Sequence, residues 1–249
     1  MPGKTVILRI QRQDRPDGEP YWEEFEVASQ PSMNVIAALQ AIRMNPVTRE
    51  GKKVGPVVWE SNCLEEVCGA CTMVVNGKVR QSCSALLESL AQPVELRPMS
   101  KFPVVRDLVV DRSSMFENLK RVHAWIPIDG TYDIGPGPRM GDDQAQAGYI
   151  LSRCMSCGCC LEVCPQVNDH SDFMGPAVMS QVVLFNTHPT GKLNRGERLD
   201  AVMGPGGIQD CGKAQNCVKA CPKEIPLTES LVNLARETTL HALRQLLGK

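Results

Sequence analysis

The chain has 249 residues, 43% of them hydrophobic and 22% charged, which suits one large globular domain or two modest ones. Its 27 basic and 28 acidic residues are intermixed and leave a net charge of −1, so it offers no electrostatic footprint for nucleic acid or for an anionic membrane. Aromatic residues are only 4%, whereas cysteine occurs twelve times.

No apolar run approaches the roughly 20 residues that span a bilayer. Lys4 and Arg9 interrupt Met1–Asp14, so a secretory signal is not expected. The chain is therefore expected in the cytoplasm, where thiols stay reduced and twelve cysteines read as metal ligands.

Val6, Leu8 and Ile10 alternate, as do Phe25 and Val27, which predicts two strands either side of the turn-rich Arg15–Pro20. Val35, Ile36, Leu39 and Ile42 recur at helical spacing after Pro31-Ser32, a suitable helix start. Thr72–Val75 and Lys78–Gln81 flank Asn76-Gly77, the signature of a two-residue hairpin turn. A further strand is expected over Pro93–Leu96. Two strands, a helix and a closing hairpin resemble the β-grasp roll of plant-type ferredoxins.

A join is expected near Val105–Ser114. Beyond it, apolar spacing predicts helices within Met115–Trp125, Ala145–Leu151 and Val178–Phe185. The Gly/Pro-rich Ile134–Gly141 reads as loop. A last helix is expected with Thr228 as its N-cap. Leu231, Ala235, Ala242 and Leu246 form one stripe of it and Leu240, Leu243 and Leu247 another, suited to cover from two sides. The fold class is α+β, with an N-terminal β-grasp domain over 1–110 and an all-α domain over 111–249.

Cys63, Cys68 and Cys71, with Cys83 eleven residues further on, match the C-x4-C-x2-C…C spacing of a plant-type [2Fe–2S] site. Gly69 and Ala70 leave room for the backbone to wrap a cluster. With Asn76-Gly77 as the turn, Val75 faces Lys78 and Cys71 faces Ser82, which delivers Cys83 beside Cys71. A structural zinc site is the alternative, but its ligands usually come as two short-spaced pairs.

Cys154, Cys157, Cys160 and Cys164-Pro165 form the bacterial ferredoxin run C-x2-C-x2-C-x3-C-P. The partner run is Cys211-x5-Cys217-x3-Cys221-Pro222, with Ala214 where a middle cysteine would stand. In two-cluster ferredoxins the fourth cysteine of each run ligates the other cluster. Cys154, Cys157, Cys160 and Cys221 then complete a [4Fe–4S] site. Cys164, Cys211 and Cys217 supply only three thiolates, which predicts [3Fe–4S]. Cys159 is out of register and reads as a small buried thiol.

The isolated histidines His123, His170, His188 and His241 read as surface or hydrogen-bonded residues. Gly135–Met140 superficially resembles a dinucleotide loop, but Met140 stands at the third glycine position. No flavin or nicotinamide site, catalytic triad or paired-carboxylate site is expected.

A plant-type [2Fe–2S] domain followed by a dicluster domain lacking one cysteine resembles the iron–sulfur subunit of succinate dehydrogenase and fumarate reductase. Asn62–Cys71 and Cys211–Pro226 are similar to family segments beyond the cysteines themselves. Arg139-Met140, Phe173–Pro176 and His188–Gly191 look most like the Gram-positive enzymes.

The resemblance implies a subunit that carries electrons singly through [2Fe–2S], [4Fe–4S] and [3Fe–4S]. They come from a flavoprotein with covalent FAD that oxidises succinate to fumarate, and go to a haem b-containing membrane-anchor cytochrome and quinone. It also implies a peripheral place on the cytoplasmic side of the cell membrane, in the respiratory chain and tricarboxylic acid cycle. Ubiquinone-reducing relatives carry a histidine and a tryptophan where this chain has Gly212 and the Trp-free Gln166–His170, a departure shared with menaquinone-using members. A fumarate reductase running in reverse, a subunit of another flavin-linked oxidoreductase and a zinc-stapled interaction protein are the alternatives.

Overall fold

The computed structural model describes residues 5–127 and 138–248. Contacts divide the chain into two compact units, one of Met1–Arg112 with Met155–Glu162 and one of Ser113–Cys154 with Val163–Lys249.

The first unit is built on a five-stranded mixed sheet. Its strands are β1 (Thr5–Arg12), β2 (Tyr21–Ala28), β3 (Thr72–Val75), β4 (Lys78–Gln81) and β5 (Val94–Arg97), in the order β2-β1-β5-β3-β4. β1 pairs antiparallel with β2, placing Leu8 opposite Phe25, and parallel with β5, placing Leu8 opposite Val94. The alternating apolar residues therefore share one face, where they meet α1 (Val35–Met44) through Val35, Ile36, Leu39 and Ile42. The cap of α1 is Asn34, not the Pro31-Ser32 pair. Asn34 Oδ1 accepts the Ala37 N–H at 2.8 Å while its Nδ2 donates to the Cys83 carbonyl at 2.9 Å, so one amide starts the helix and holds the Cys83 turn.

A short ribbon, β6 (Val104–Arg106) with β7 (Val109–Val110), turns at Asp107. Asp107 and Arg12 are fully buried and paired, with Arg12 Nε 2.9 Å from Asp107 Oδ1. Asp107 also accepts the N–H groups of Gln13 and Val58, so the ion pair is hydrogen-bonded on all sides, as an interior charge requires.

The second unit is helical. Its main helices are Ser113–Arg121, Asp142–Ser152, Pro176–Thr187, Arg195–Met203 and Leu227–Leu246, with a short one at Asn216–Ala220. Pro176 opens its helix where no intrahelical N–H is needed. The core joins Phe173, Met174, Val178, Met179, Val182, Leu199, Val202 and Leu234, with methionines filling space that rings occupy elsewhere. Ile134–Gly137 of the anticipated loop lies outside the described residues.

The last helix differs from expectation. Thr228 lies inside it, and Pro226 precedes it without a side-chain cap bond. Its buried line is Leu227, Ser230, Leu234 and Thr238, while Leu240, Leu243, Leu246 and Leu247 are exposed. Apolar spacing read on its own cannot tell which stripe the core reaches, and here the four leucines lie beyond it.

Candidate iron–sulfur sites

The Cys63–Cys71 loop is folded to aim main-chain N–H groups at sulfur. Positive φ angles at Leu64 (61°), Glu66 (55°) and Gly69 (72°) curl the backbone inward. Cys63 Sγ accepts the N–H groups of Glu65, Val67 and Cys68 at 3.4, 3.3 and 3.3 Å, and Cys68 Sγ accepts those of Cys63 and Ala70 at 3.5 and 3.4 Å. Those donors favour the thiolate and draw the Cys63 thiol down to about 7.

The hairpin delivers the remaining two sulfurs. Thr72 pairs with Gln81, and the Ser82 N–H donates to the Cys71 carbonyl at 3.2 Å. Cys71 and Cys83 are buried with their side chains hydrogen-bonded, and burial pushes the Cys71 thiol up to about 11. Arg112 grips the loop from outside, donating to the Gly69 and Ala70 carbonyls at 3.0 and 3.2 Å and pairing with Glu60 at 2.7 Å.

Of the next four expected ligands, Cys157 and Cys160 fall in the first unit and Cys154 and Cys221 in the second. Segment 155–162 is fastened to the first unit by Glu162, whose carboxylate accepts from Ser100 N and Oγ at 2.8 Å each and from Lys101 N at 3.1 Å. A methyl group on Gly69 would meet Cys157 Cβ at 2.8 Å, so the first loop lies directly against this segment. Cys159 is wholly buried, as a packed thiol should be. Its hydrogen bond to Cys157 holds Cys157 down to about 7 and drives Cys159 upward. Cys154 follows the helix Asp142–Ser152, and Cys221 ends the helix Asn216–Ala220, its N–H donating to the Val218 carbonyl at 3.3 Å.

In the second unit, Cys164, Cys211, Cys217 and Ala214 line one cavity of about 310 Å³, walled on its apolar side by Ile208, Leu231, Val232 and Ala235. Burial, with the charges of Cys164 and Cys211 adding, pushes the Cys217 thiol up. The structure thus brings together the three thiols that spacing assigned to a trinuclear site, with Ala214 beside them. Gly212 and Gln166 line the same cavity, and none of the four histidines does. His188 Nδ1 accepts the Thr190 N–H at 3.2 Å, and His241 hydrogen-bonds Asp200 at 2.9 Å.

Soft thiolates backed by N–H donors fit iron–sulfur ligation. Among the described residues no three or more of His, Cys, Asp and Glu converge on a single ion position. A cluster spreads its cysteine ligands over several irons, with at most two on any one, and needs no such convergence. Arg112 and Glu162 were not singled out in the sequence, because their partners lie 42 to 62 residues away.

Residues 7–117 match the 2Fe-2S iron-sulfur cluster binding domain family, and residues 150–225 the 4Fe-4S dicluster domain family. The chain is 61% identical over 245 residues to the succinate dehydrogenase iron-sulfur subunit of Bacillus subtilis, covering 98% of this chain and 97% of that one. It is 27% identical to the fumarate reductase iron-sulfur subunit of Wolinella succinogenes, covering 94% and 98%. A chain of the Mycobacterium smegmatis Sdh1 complex in the apo form shares the fold, with a TM-score of 0.76 at 24% identity over 95% of this chain and 96% of that one. Two cluster-binding domains in this order, and an identity of that extent along the whole chain, place it in the family of electron-transferring iron–sulfur subunits of succinate dehydrogenase and fumarate reductase.

Proposed function

We propose that this chain is the electron wire of a succinate dehydrogenase, with Cys63, Cys68, Cys71 and Cys83 holding [2Fe–2S], Cys154, Cys157, Cys160 and Cys221 holding [4Fe–4S], and Cys164, Cys211 and Cys217 holding [3Fe–4S]. When bound, the clusters supply the one-electron steps that connect two-electron flavin chemistry to quinone. The protein's part is to hold the sulfurs, aim donors at them and exclude water. The Cys63–Cys71 loop does this with main-chain N–H groups. The single observation that carries the reading is the cavity where three thiols meet the methyl group of Ala214. A fourth thiolate there would complete a cube, and alanine cannot supply one.

In this reading the domains run over 1–110 and 111–249, with segment 155–162, which carries Cys157 and Cys160, grouped with the first unit. The partners are a flavoprotein carrying FAD and a membrane subunit, which in this reading is a cytochrome b that holds the chain on the cytoplasmic side. Among the described residues no helix is long and apolar enough to cross a membrane. Gly212 and the Trp-free Gln166–His170, where ubiquinone-reducing relatives carry a histidine and a tryptophan, favour menaquinone as the acceptor. The greater identity to a succinate dehydrogenase subunit than to a fumarate reductase subunit favours succinate oxidation over the reverse reaction.

The test is electron paramagnetic resonance of the purified complex at stepped potentials. Three distinct centres are expected, including a trinuclear signal in the oxidised protein that Ala214→Cys converts to a four-iron centre of lower potential. An oxidised complex without that signal, or an Ala214→Cys spectrum identical to the parent, overturns the assignment.

A further inference from the structure

The Cys63–Cys71 loop is tied to the Cys83 turn by a carboxylate that ligates nothing. Glu66 stands between Cys63 and Cys68, with φ +55°. Its Oε1 accepts the Ser84 hydroxyl at 2.8 Å, and Ser84 directly follows Cys83. Both residues are half-buried. The turn is held from other directions as well. Asn34 Nδ2 donates to the Cys83 carbonyl at 2.9 Å, and Arg80 donates to the Ser84 carbonyl at 3.2 Å. Glu66 therefore meets a turn that is already fixed, and its charge is held within one side chain's reach of both segments that carry the expected [2Fe–2S] ligands.

The tie alone does not account for a charge here. Glutamine has the same length and could accept the same hydroxyl, and asparagine or glycine would take up the left-handed backbone more readily. The carboxylate meets a neutral hydroxyl, and the two guanidiniums that reach these segments bond elsewhere. Arg112 holds Glu60 and the Gly69 and Ala70 carbonyls, and Arg80 holds the Ser84 carbonyl. The rest of the loop turns the positive ends of N–H dipoles toward the Cys63 and Cys68 sulfurs. Glu66 adds the opposite sign to the same loop.

A reduced [2Fe–2S] centre holds one more negative charge than the oxidised one, so a fixed anion beside it favours the oxidised form. We propose that the Glu66 carboxylate, pinned by Ser84, lowers the midpoint of the [2Fe–2S] centre and so opposes the Arg112 guanidinium on the same loop. Ser84 is a positioning residue that acts through Glu66. The inference rests on the assignment of Cys63, Cys68, Cys71 and Cys83 to that centre.

The experiment is a potentiometric titration, followed by electron paramagnetic resonance, of the intact complex carrying Glu66→Gln, Ser84→Ala or Glu65→Gln. Glu66→Gln keeps an acceptor for the Ser84 hydroxyl and removes the charge. It is expected to raise the [2Fe–2S] midpoint, changing the oxidised-to-reduced ratio on the order of threefold, or about 28 mV for one electron. Ser84→Ala lets the carboxylate turn into water, where it is screened, and raises the midpoint by less. Glu65 is exposed, so Glu65→Gln removes a charge already in water and shifts the midpoint less than Glu66→Gln does. The [3Fe–4S] midpoint stays in place in all three. An unchanged midpoint in Glu66→Gln or Ser84→Ala, a fall in either, an equal rise in Glu65→Gln, or loss of the two-iron signal in Glu66→Gln each overturns the inference. Cys68→Ala separates this from the ligand assignment: if it leaves the [2Fe–2S] signal intact, the assignment fails, and otherwise only the role given to the carboxylate does.

Discussion

The Cys63–Cys71 loop and the Cys164/Cys211/Cys217 cavity hold sulfur in opposite surroundings. In the loop, main-chain N–H groups converge on the sulfurs of half-buried Cys63 and Cys68 and draw Cys63 toward the thiolate. In the cavity, apolar side chains surround the thiols, and burial pushes Cys217 toward the neutral form. The loop therefore supports negative charge with its own dipoles, whereas the cavity depends on bound metal to deprotonate its thiols. Electrostatic support is redundant in the first region and sparse in the second.

The largest expected effect follows from that contrast. Cys217→Ala removes one of only three thiols facing the cavity, and is expected to abolish the trinuclear signal together with quinone reduction. Cys63→Ser leaves an oxygen that accepts the same three N–H groups, so a two-iron signal of altered shape is expected to persist. Resonance spectra of the two variants decide it. The comparison breaks if the serine variant loses its centre while the alanine variant keeps one.

The next effect concerns Gly69. It adopts φ +72°, and an added methyl would stand 2.8 Å from Cys157 Cβ and 2.9 Å from Cys157 Cα, atoms that cannot swing aside. Left-handed strain and overpacking together put Gly69→Ala at about 2–4 kcal/mol of destabilisation. Denaturant unfolding of the variant against the parent measures it, and an unchanged midpoint removes the tight seating of the loop on segment 155–162.

Most of what places the sulfurs was legible because it is local. Ligand spacing is a property of short loops, Asn76-Gly77 specifies its turn, and alternation in β1 and β2 marks the face that meets α1. What escaped depends on distant neighbours. Asn34 caps α1 because Cys83, 49 residues away, accepts its amide. The buried face of the last helix was misjudged because the core ends before Leu240. Segment 155–162 carries the proposed ligands Cys157 and Cys160 yet packs with the sheet, through Glu162 and Gly158 on Ser100, Met99 and Phe102. No periodicity announces that.

Arg112 sharpens the electrostatic side of the comparison. Its guanidinium supplements the loop's own dipoles by binding the Gly69 and Ala70 carbonyls. Arg112→Gln loses a mostly buried charge and its hydrogen bonds, a cost of about 1–2 kcal/mol with part of the Glu60 pair already in solvent. Removing a cation also disfavours the reduced form, so the [2Fe–2S] midpoint is expected to fall while the trinuclear midpoint holds. A rise on redox titration contradicts the role given to Arg112.

The smallest effect is the counterpart of Gly69 in the other region. Gly212 lines the Cys164/Cys211/Cys217 cavity, and a methyl there would meet the amide tip of Gln166, with no main-chain atom among its nearest neighbours. Gln166 is long, and its end can rotate away at little cost. No left-handed φ constrains Gly212, so Gly212→Ala is expected to change stability by less than about 0.5 kcal/mol. The trinuclear spectrum should also be retained, because Cys211 and Cys217 keep their places on either side. Equal losses in Gly69→Ala and Gly212→Ala would mean that both regions are rigid to the same degree. A loss confined to Gly69→Ala locates the rigidity where main chain packs on main chain, in the region whose dipoles must stay aimed at sulfur.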